Sequence, residues 1–499
     1  MPFRQITFVA FLVIAISASV SGQNPATAVA AASKAMGVEN LNSITYSGTA
    51  RNGAFGQSKN IGEPMGPVNL TLITQYTRTI NFAQGEDPAT VVSRASGPTL
   101  PPAVPGVPPP TPGVFNQNIT GAQANSNWAQ ALNIWTTPWG FVKGAAANNA
   151  TVRQQAGQQI VSFSPASFKS PSGQTYRVTG YLNNQNLVTK VETRVDHAVA
   201  GDLLVEFEYS NYQNMNGVQI PTRIVQRQAG MQTFEANVTS ATPNPSNLSE
   251  LLTPPPPPGA GGRGGAGAPA APQQTAGGPP PVERIGEGVF KIGGNYVSLA
   301  IDMGDHILVV ESGQNDARGT AVMAAARQAI PSKPIRFVVN SHAHFDHAGG
   351  LAAAVAEGAT ILTHRNNEVV LERLLSGPRT LIGDSLSKVS NRRSNVVERV
   401  ADRDVRKGTN GKVVELYQIP NEHSDGLLAV YLRGEKALWT ADISVVNPNP
   451  SQAAVVRSTV AALDRLKLDY ETWIPAHPPN PDRPLTRADV IAAARAGSN

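Results

Sequence analysis

The chain of 499 residues contains no cysteine. That absence excludes disulfides, thiolate-held zinc, iron–sulfur clusters, thiol nucleophiles and lipid attachment at a mature N-terminal cysteine. Any metal must be held by nitrogen and oxygen. Charge is scarce as well: charged residues make up 15% of the chain, the net charge is only +5, and no long Lys/Arg run occurs. The pI of 9.3 therefore does not by itself point to a nucleic-acid partner, and none is expected. Long apolar runs are missing beyond the first 22 residues, so no later segment reads as a bilayer span. What is plentiful is glycine, with 45 residues, and proline, with 40, enough to require loop-rich or unfolded stretches within an otherwise globular composition.

Residues 1–22 place Arg4 before the apolar stretch ITFVAFLVIAI and end in SASVSG, the order of a secretory signal peptide. Export is the expectation, to the periplasm or beyond, with a mature chain starting at Gln23 and no stable membrane insertion after signal removal. An uncleaved anchor is the alternative, and against it stands an apolar run shorter than the ~20 residues a span needs.

Residues 23–252 read as mainly β. A short helix at 28–36 precedes alternating stretches such as NLTLITQYTRTINF, and later QTYRVTGYL, LVTKVETRV, DLLVEFEYSNY and QIPTRIVQRQ follow at the spacing of antiparallel meanders. Residues 99–113, TLPPAVPGVPPPTPG, cannot donate a regular ladder of hydrogen bonds and are expected to form an exposed loop or polyproline insert. Residues 253–282 are a Pro/Gly-rich linker that can bury almost nothing. From 283 to 499 strands and helices mix: helices at 317–330, 349–357, 366–375, 453–466 and 486–496, and strands IRFVVN, TILTH, KVVELYQI, LLAVYL and KALWTA. The C-terminal part thus reads as α/β, with mixed sheets and outer helices.

The chemistry lies in FVVNSHAHFDHAGG, where a buried strand ends at Asn340 and His342, His344, Asp346 and His347 follow within six residues. In an extended loop His342 and His344 point the same way and can share one metal, while Asp346 and His347 can turn toward a second. Asn340 and Ser341 are read as bracing this loop, and Gly349 with Gly350 as letting the chain turn sharply into a helix. His197, His306 and His364 read as structural, and Asp425 as a turn or supporting residue.

HxHxDH after a strand resembles the metallo-β-lactamase superfamily, and the resemblance covers 283–499. It implies an αβ/βα four-layer sandwich and further ligands at strand ends. His423, in PNEHSDGLLAVYL, resembles the third ligand of the first metal. Asp442, in ALWTADIS, resembles the carboxylate that bridges both metals in glyoxalase-type members, and His477, in WIPAHPP, the last ligand of the second metal. By that resemblance His342, His344 and His423 hold one divalent ion, Asp346, His347 and His477 the other, and Asp442 lies between. Zinc leads, and iron or manganese suit the same donors. The implied activity is hydrolysis of an ester, amide, lactam or thioester in a small-molecule substrate by a metal-bridging hydroxide, with Asp346 as the catalytic residue that orients it and relays its proton.

Two departures from the family pattern bear on His477 as a ligand and on the substrate, in that order. Pro478 and Pro479 follow His477 where the family usually has glycine, and Ile443 stands where one β-lactamase subclass has a metal-contacting serine. With no cysteine for the other subclass, β-lactamase identity is not favoured. Two other readings stay open. One is an iron-dependent sulfur oxygenase of the same superfamily. The other is a periplasmic ligand-binding protein with a vestigial metal domain, whose N-terminal part resembles the half-barrels of exported lipid carriers from Tyr181 onward. Oligomeric state is not legible.

Overall fold

Alternating residues of the N-terminal part form one antiparallel sheet in the computed structural model, which describes residues 24–53, 55–59, 70–82, 91–100, 115–119, 128–253, 279–421, 423–446, 448, 450–483 and 485–495. The expected signal segment and residues 254–278 of the linker lie outside the described residues, as do 101–113 of the proline-rich stretch. Thr99 and Leu100, expected within that insert, instead end the strand Val91–Leu100 and pair with Ile73 and Leu72.

Among the described residues this sheet has eleven strands, each beside its neighbour in sequence except that the first, Ser43–Asn52, pairs with the last, Met231–Pro243. The closure leaves Phe115–Ile119 and Thr151–Gln155 at opposite edges, so the chain must cross a sheet face between them. It does so through two helices, Trp128–Trp135 and Pro138–Ala147, which the sequence pattern does not lead one to expect. The available signal was Trp128, Leu132 and Trp135 at helical spacing. Trp139 and Phe141 are fully buried, and a Cβ at Gly180 in the sheet would lie 2.2 Å from Phe141. The apolar face that a lipid-carrier reading requires is thus packed with the protein's own aromatic side chains.

The C-terminal part is an α/β sandwich of two sheets. One runs from Val282–Gly286 to Val397–Val400, first through antiparallel and then through parallel neighbours; the other runs from Arg403–Lys407 to Leu485–Thr486. Leu299, Ile301, Leu308, Val310 and Val339 of the first sheet share a core with Leu416, Leu428, Val430 and Trp439 of the second. The helices Asp316–Ala329 and Leu351–Ala356 cover the outer face of the first sheet, and Pro450–Leu466 and Arg487–Arg495 cover that of the second. Covered on both faces, central strands such as Leu428–Leu432 are buried at every position, which explains why they read as continuous apolar runs rather than alternating ones. The arrangement is the expected αβ/βα four-layer sandwich preceded by a mainly β part.

Two local expectations are corrected. The helix expected at 349–357 begins earlier, as a turn at Phe345–Ala348 followed by Leu351–Ala356, so Asp346 and His347 sit on helical backbone rather than in an extended loop. Gly349 and Gly350 have ordinary right-handed conformations. They are needed for space: a Cβ would come within 2.0 Å of the Gln314 carbonyl oxygen and 2.3 Å of that of Ser312, respectively. Among the described residues no helix is long and apolar enough to cross a membrane.

Candidate metal centre

Each ligand-bearing residue follows a strand of the sandwich or sits in a loop between two. His342 and His344 come after Ile335–Val339, His423 between Val413–Gln418 and Leu428–Leu432, Asp442 after Ala437–Thr440, and His477 after Thr472–Pro475. The structure brings all seven predicted residues together in two groups that could hold a metal: His342, His344, His423 and Asp442, and Asp346, His347, Asp442 and His477. Within each group the candidate donor atoms lie within 4.8 Å of one another.

Asp442 belongs to both groups, and its two oxygens divide between them. Oδ2 lies 2.9 Å from His423 Nε2 and 3.3 Å from His342 Nε2, while Oδ1 lies 2.9 Å from His347 Nε2 and 2.8 Å from His477 Nε2. Facing imidazole nitrogens are equally close, with His342 Nε2 and His423 Nε2 at 3.2 Å and His347 Nε2 and His477 Nε2 at 3.3 Å. The donor set is the nitrogen and oxygen chemistry that a cysteine-free chain leaves available, and it fits two divalent ions. A further observation supports the fit: among the described residues, His344 Nδ1 is buried with no hydrogen-bond partner. A polar atom left so is costly unless something else satisfies it.

Four of the five site histidines have their other ring nitrogen held in ways that turn the donor inward. Ser341 Oγ donates to Glu311 Oε2 at 2.6 Å and lies 3.0 Å from His342 Nδ1. The same Glu311 oxygen lies 3.2 Å from His347 Nδ1. One carboxylate therefore orients a histidine of each group, directly for His347 and through Ser341 for His342, leaving both Nε2 atoms facing Asp442. His477 Nδ1 faces the Asn295 carbonyl oxygen at 3.3 Å. His344 is reversed: its Nε2–H donates to the Ser58 carbonyl at 3.0 Å and leaves Nδ1 toward the site.

Burial and the adjacent His344 and His347 rings push His342 well below the usual imidazole range, and burial with the neighbouring His423 lowers His344 to about 4. Both rings are thus neutral at pH 7, the state that metal ligation requires. Burial also opposes charge on His347, but Asp442 and Glu311 outweigh it and hold this pKa well above the usual value. Burial would raise Asp442, yet the charge of His347 and hydrogen bonds from His342, His347 and His423 keep it well below the carboxylate range.

Glu311, Tyr296, Gln57 and Ser58 carry no motif that sequence reasoning could single out. Glu311 left a trace, as a lone acid closing the apolar run ILVV, and it is fully buried with left-handed backbone at φ 66°. Asp442 also holds a left-handed conformation, φ 52°, so two site residues carry local backbone strain. Tyr296 donates from its hydroxyl to Asp346 Oδ2 at 3.3 Å and packs edge-on against His477. Asn340 and Ser341 brace the loop as expected, Asn340 spanning Thr363 and the His347 carbonyl. His364 caps the helix Arg365–Ser376 and faces Asp402 at 3.2 Å, away from the site. Replacing Glu311 by Gln is expected to lower metal affinity about 10–100-fold, the usual cost of losing a group that orients ligands. Titration against a competing chelator checks this, and an unchanged affinity would show that Glu311 does not organise the histidines.

Residues 293–477 match the family model of the Metallo-beta-lactamase superfamily. No curated protein matches the chain. Among solved structures it is similar to a metallo-beta-lactamase from Pontibacter korlensis, at 16% identity over 44% of this chain and 99% of that one with a TM-score of 0.34. It is also similar to the metallo-beta-lactamase FIM-1 from Pseudomonas aeruginosa, at 17% identity over 44% of this chain and 95% of that one with a TM-score of 0.33. A third is the sec-alkylsulfatase Pisa1 from Pseudomonas sp., at 17% identity over 43% of this chain and 41% of that one with a TM-score of 0.31. With its ligand-rich strand ends enclosed by the match, the C-terminal part of the chain, residues 293–477, belongs to the metallo-beta-lactamase superfamily.

Proposed function

We propose that the protein is an exported, two-metal hydrolase acting on an ester, amide, lactam or thioester bond of a small molecule. The observation that carries the reading is the division of the Asp442 oxygens between His342 with His423 and His347 with His477, which suits a carboxylate shared by two cations. Export rests on the order of residues 1–22. When bound, two divalent ions, zinc first among them, would lower the pKa of water to near neutrality and polarise the substrate oxygen.

The chain's own groups do the rest. Asp346 is held from both sides, its Oδ1 accepting from the Gln57 amide at 2.8 Å and its Oδ2 from the Tyr296 hydroxyl at 3.3 Å. So oriented, a carboxylate can take a proton at Oδ2 and return it to a leaving group. Burial, with Asp346 and Asp442 nearby, raises the Tyr296 hydroxyl above its ordinary value, so it stays protonated and acts as a donor. Its one O–H is committed to Asp346, so its role in the site is to hold that carboxylate in place.

Purified protein is expected to contain about two metal ions per chain. A panel of thioester, aryl ester and nitrocefin substrates is expected to reveal turnover that Asp346→Ala lowers on the order of 10²–10⁴-fold, the range general acid–base groups contribute. About one iron per chain would favour the oxygenase reading. A metal-loaded protein that turns over no member of the panel would favour the binding reading.

A further inference from the structure

The N-terminal sheet sends a short segment into the metal centre. Residues 55–59, which follow the strand Ser43–Asn52, direct three backbone carbonyls at residues of two ligand-bearing loops. The Gly56 oxygen accepts from Phe345 N at 3.2 Å, the Ser58 oxygen from His344 Nε2 at 3.0 Å, and the Lys59 oxygen from Asp425 N at 2.9 Å. The Gln57 side chain adds its amide to Asp346 Oδ1 at 2.8 Å. Segment 55–59 therefore touches His344 and Asp346, one from each candidate group, and the turn two residues after His423.

The fit is close. Gly56 has φ +75°, and a Cβ there would lie 2.2 Å from the Phe345 ring. Phe55 meets Phe345 edge-on at 4.7 Å, and the His197 ring packs on both, at 5.7 Å from Phe55 and 4.8 Å from Phe345. Burial and the nearby Arg379 charge lower His197 to about 4, so at pH 7 it packs as a neutral ring. The structural role expected of His197 is therefore a specific one: it seats this segment against the loop that carries His344 and Asp346.

We propose that residues 55–59 are a positioning clamp of the hydrolase site: the Ser58 carbonyl holds His344 in the tautomer that presents Nδ1 to a metal, and Gln57 orients Asp346. The inference rests on the two-metal reading above. It makes the N-terminal part a component of the site rather than a neighbour, because a histidine with its Nε2–H unpartnered is free to rotate or change tautomer. It also explains why His344 alone turns Nδ1 inward.

The test compares Gly56→Ala with Gly157→Ala in the full chain. Gly157 has a similar φ of +79°, but no atom of the described residues lies within 4 Å of where its Cβ would stand, so it carries the same backbone strain with no such contact to lose. Zinc dissociation constants are measured by chelator competition, and the visible spectrum of the cobalt(II)-loaded protein reports ligand geometry. Gly56→Ala is expected to weaken binding about 10–100-fold and to change the cobalt spectrum, with Gly157→Ala matching wild type. Gln57→Ala, which leaves the backbone intact, keeps the question open to test if Gly56→Ala fails to fold; it is expected to shift the cobalt spectrum and lower kcat more than it raises KM. A wild-type chain that binds two ions, with the spectrum and affinity of Gln57→Ala and of any folded Gly56→Ala unchanged, would overturn the clamp alone. A wild-type chain that takes up no zinc or cobalt would overturn both the clamp and the hydrolase reading.

Discussion

Asp442→Asn is expected to abolish turnover and to strip at least one metal ion from the protein. The substitution preserves volume and removes one negative charge from a point where four histidine nitrogens converge within 3.3 Å of its two oxygens. Every other ligand serves one group; Asp442 serves both. Two cations held as proposed would face each other with less screening without its charge, and each would lose an anionic donor. The loss of several kcal/mol of charge stabilisation corresponds to a fall on the order of 10³-fold or more in rate. Metal analysis after dialysis and steady-state rates on any substrate found by the panel check it. Two tightly held ions and near wild-type turnover in Asp442→Asn would remove the shared carboxylate from the mechanism.

The second large effect is expected at Arg379, where the N-terminal sheet is pinned to the C-terminal sandwich. Its side chain is 1% exposed and that of Asp384 is 2% exposed, so this ion pair is nearly out of water. Arg379 Nε donates to Asp384 Oδ2 at 2.8 Å, and its remaining nitrogens donate to the Val199 and Ala198 carbonyls at 2.9 and 2.6 Å. Arg379→Ala leaves a buried carboxylate without its partner and two carbonyls without donors. Breaking a buried pair from one side costs about 3–5 kcal/mol. The cost is expected to fall on the contact between the two parts, where Asp202 N donates to the Pro378 carbonyl at 2.8 Å and Ser172 N to that of Leu381 at 3.1 Å. Exchange of those two amides with deuterium is expected to quicken on the order of 10²-fold or more. Exchange within tenfold of wild type would show that other contacts carry the junction. Because Val199 lies two residues from His197, loosening here is also expected to unseat the segment 55–59, and metal affinity should fall with it.

The metal loop was legible because its chemistry is local. Four candidate ligands within six residues, set after an apolar strand, announce a site whatever surrounds them. His423, Asp442 and His477 could be proposed because the family resemblance implies further ligands downstream, and each lies at or near a strand end, where such sites collect. Glu311 was harder to see: one acid after ILVV has no spacing partner, and its meaning depends on a fold that carries it to Ser341 and His347. The helices at Trp128–Trp135 and Pro138–Ala147 were hidden for a different reason. Their surroundings read as β, and the closure of the first strand onto the last, which makes a crossing necessary, joins residues nearly two hundred positions apart.

By itself the sequence determined the donor chemistry, the α/β character of the C-terminal part and the β character of the N-terminal part. Composition, periodicity and short motifs act over a few residues and need no partner to be read. Only the tertiary structure decided that Asp442 turns one oxygen to each histidine pair, that Glu311 steers both, and that residues 55–59 reach His344 and Asp346 across nearly three hundred positions of chain. Those contacts are made by backbone carbonyls and buried charges, whose direction is set by how the two parts pack, and a carbonyl leaves no mark in the identity of its residue.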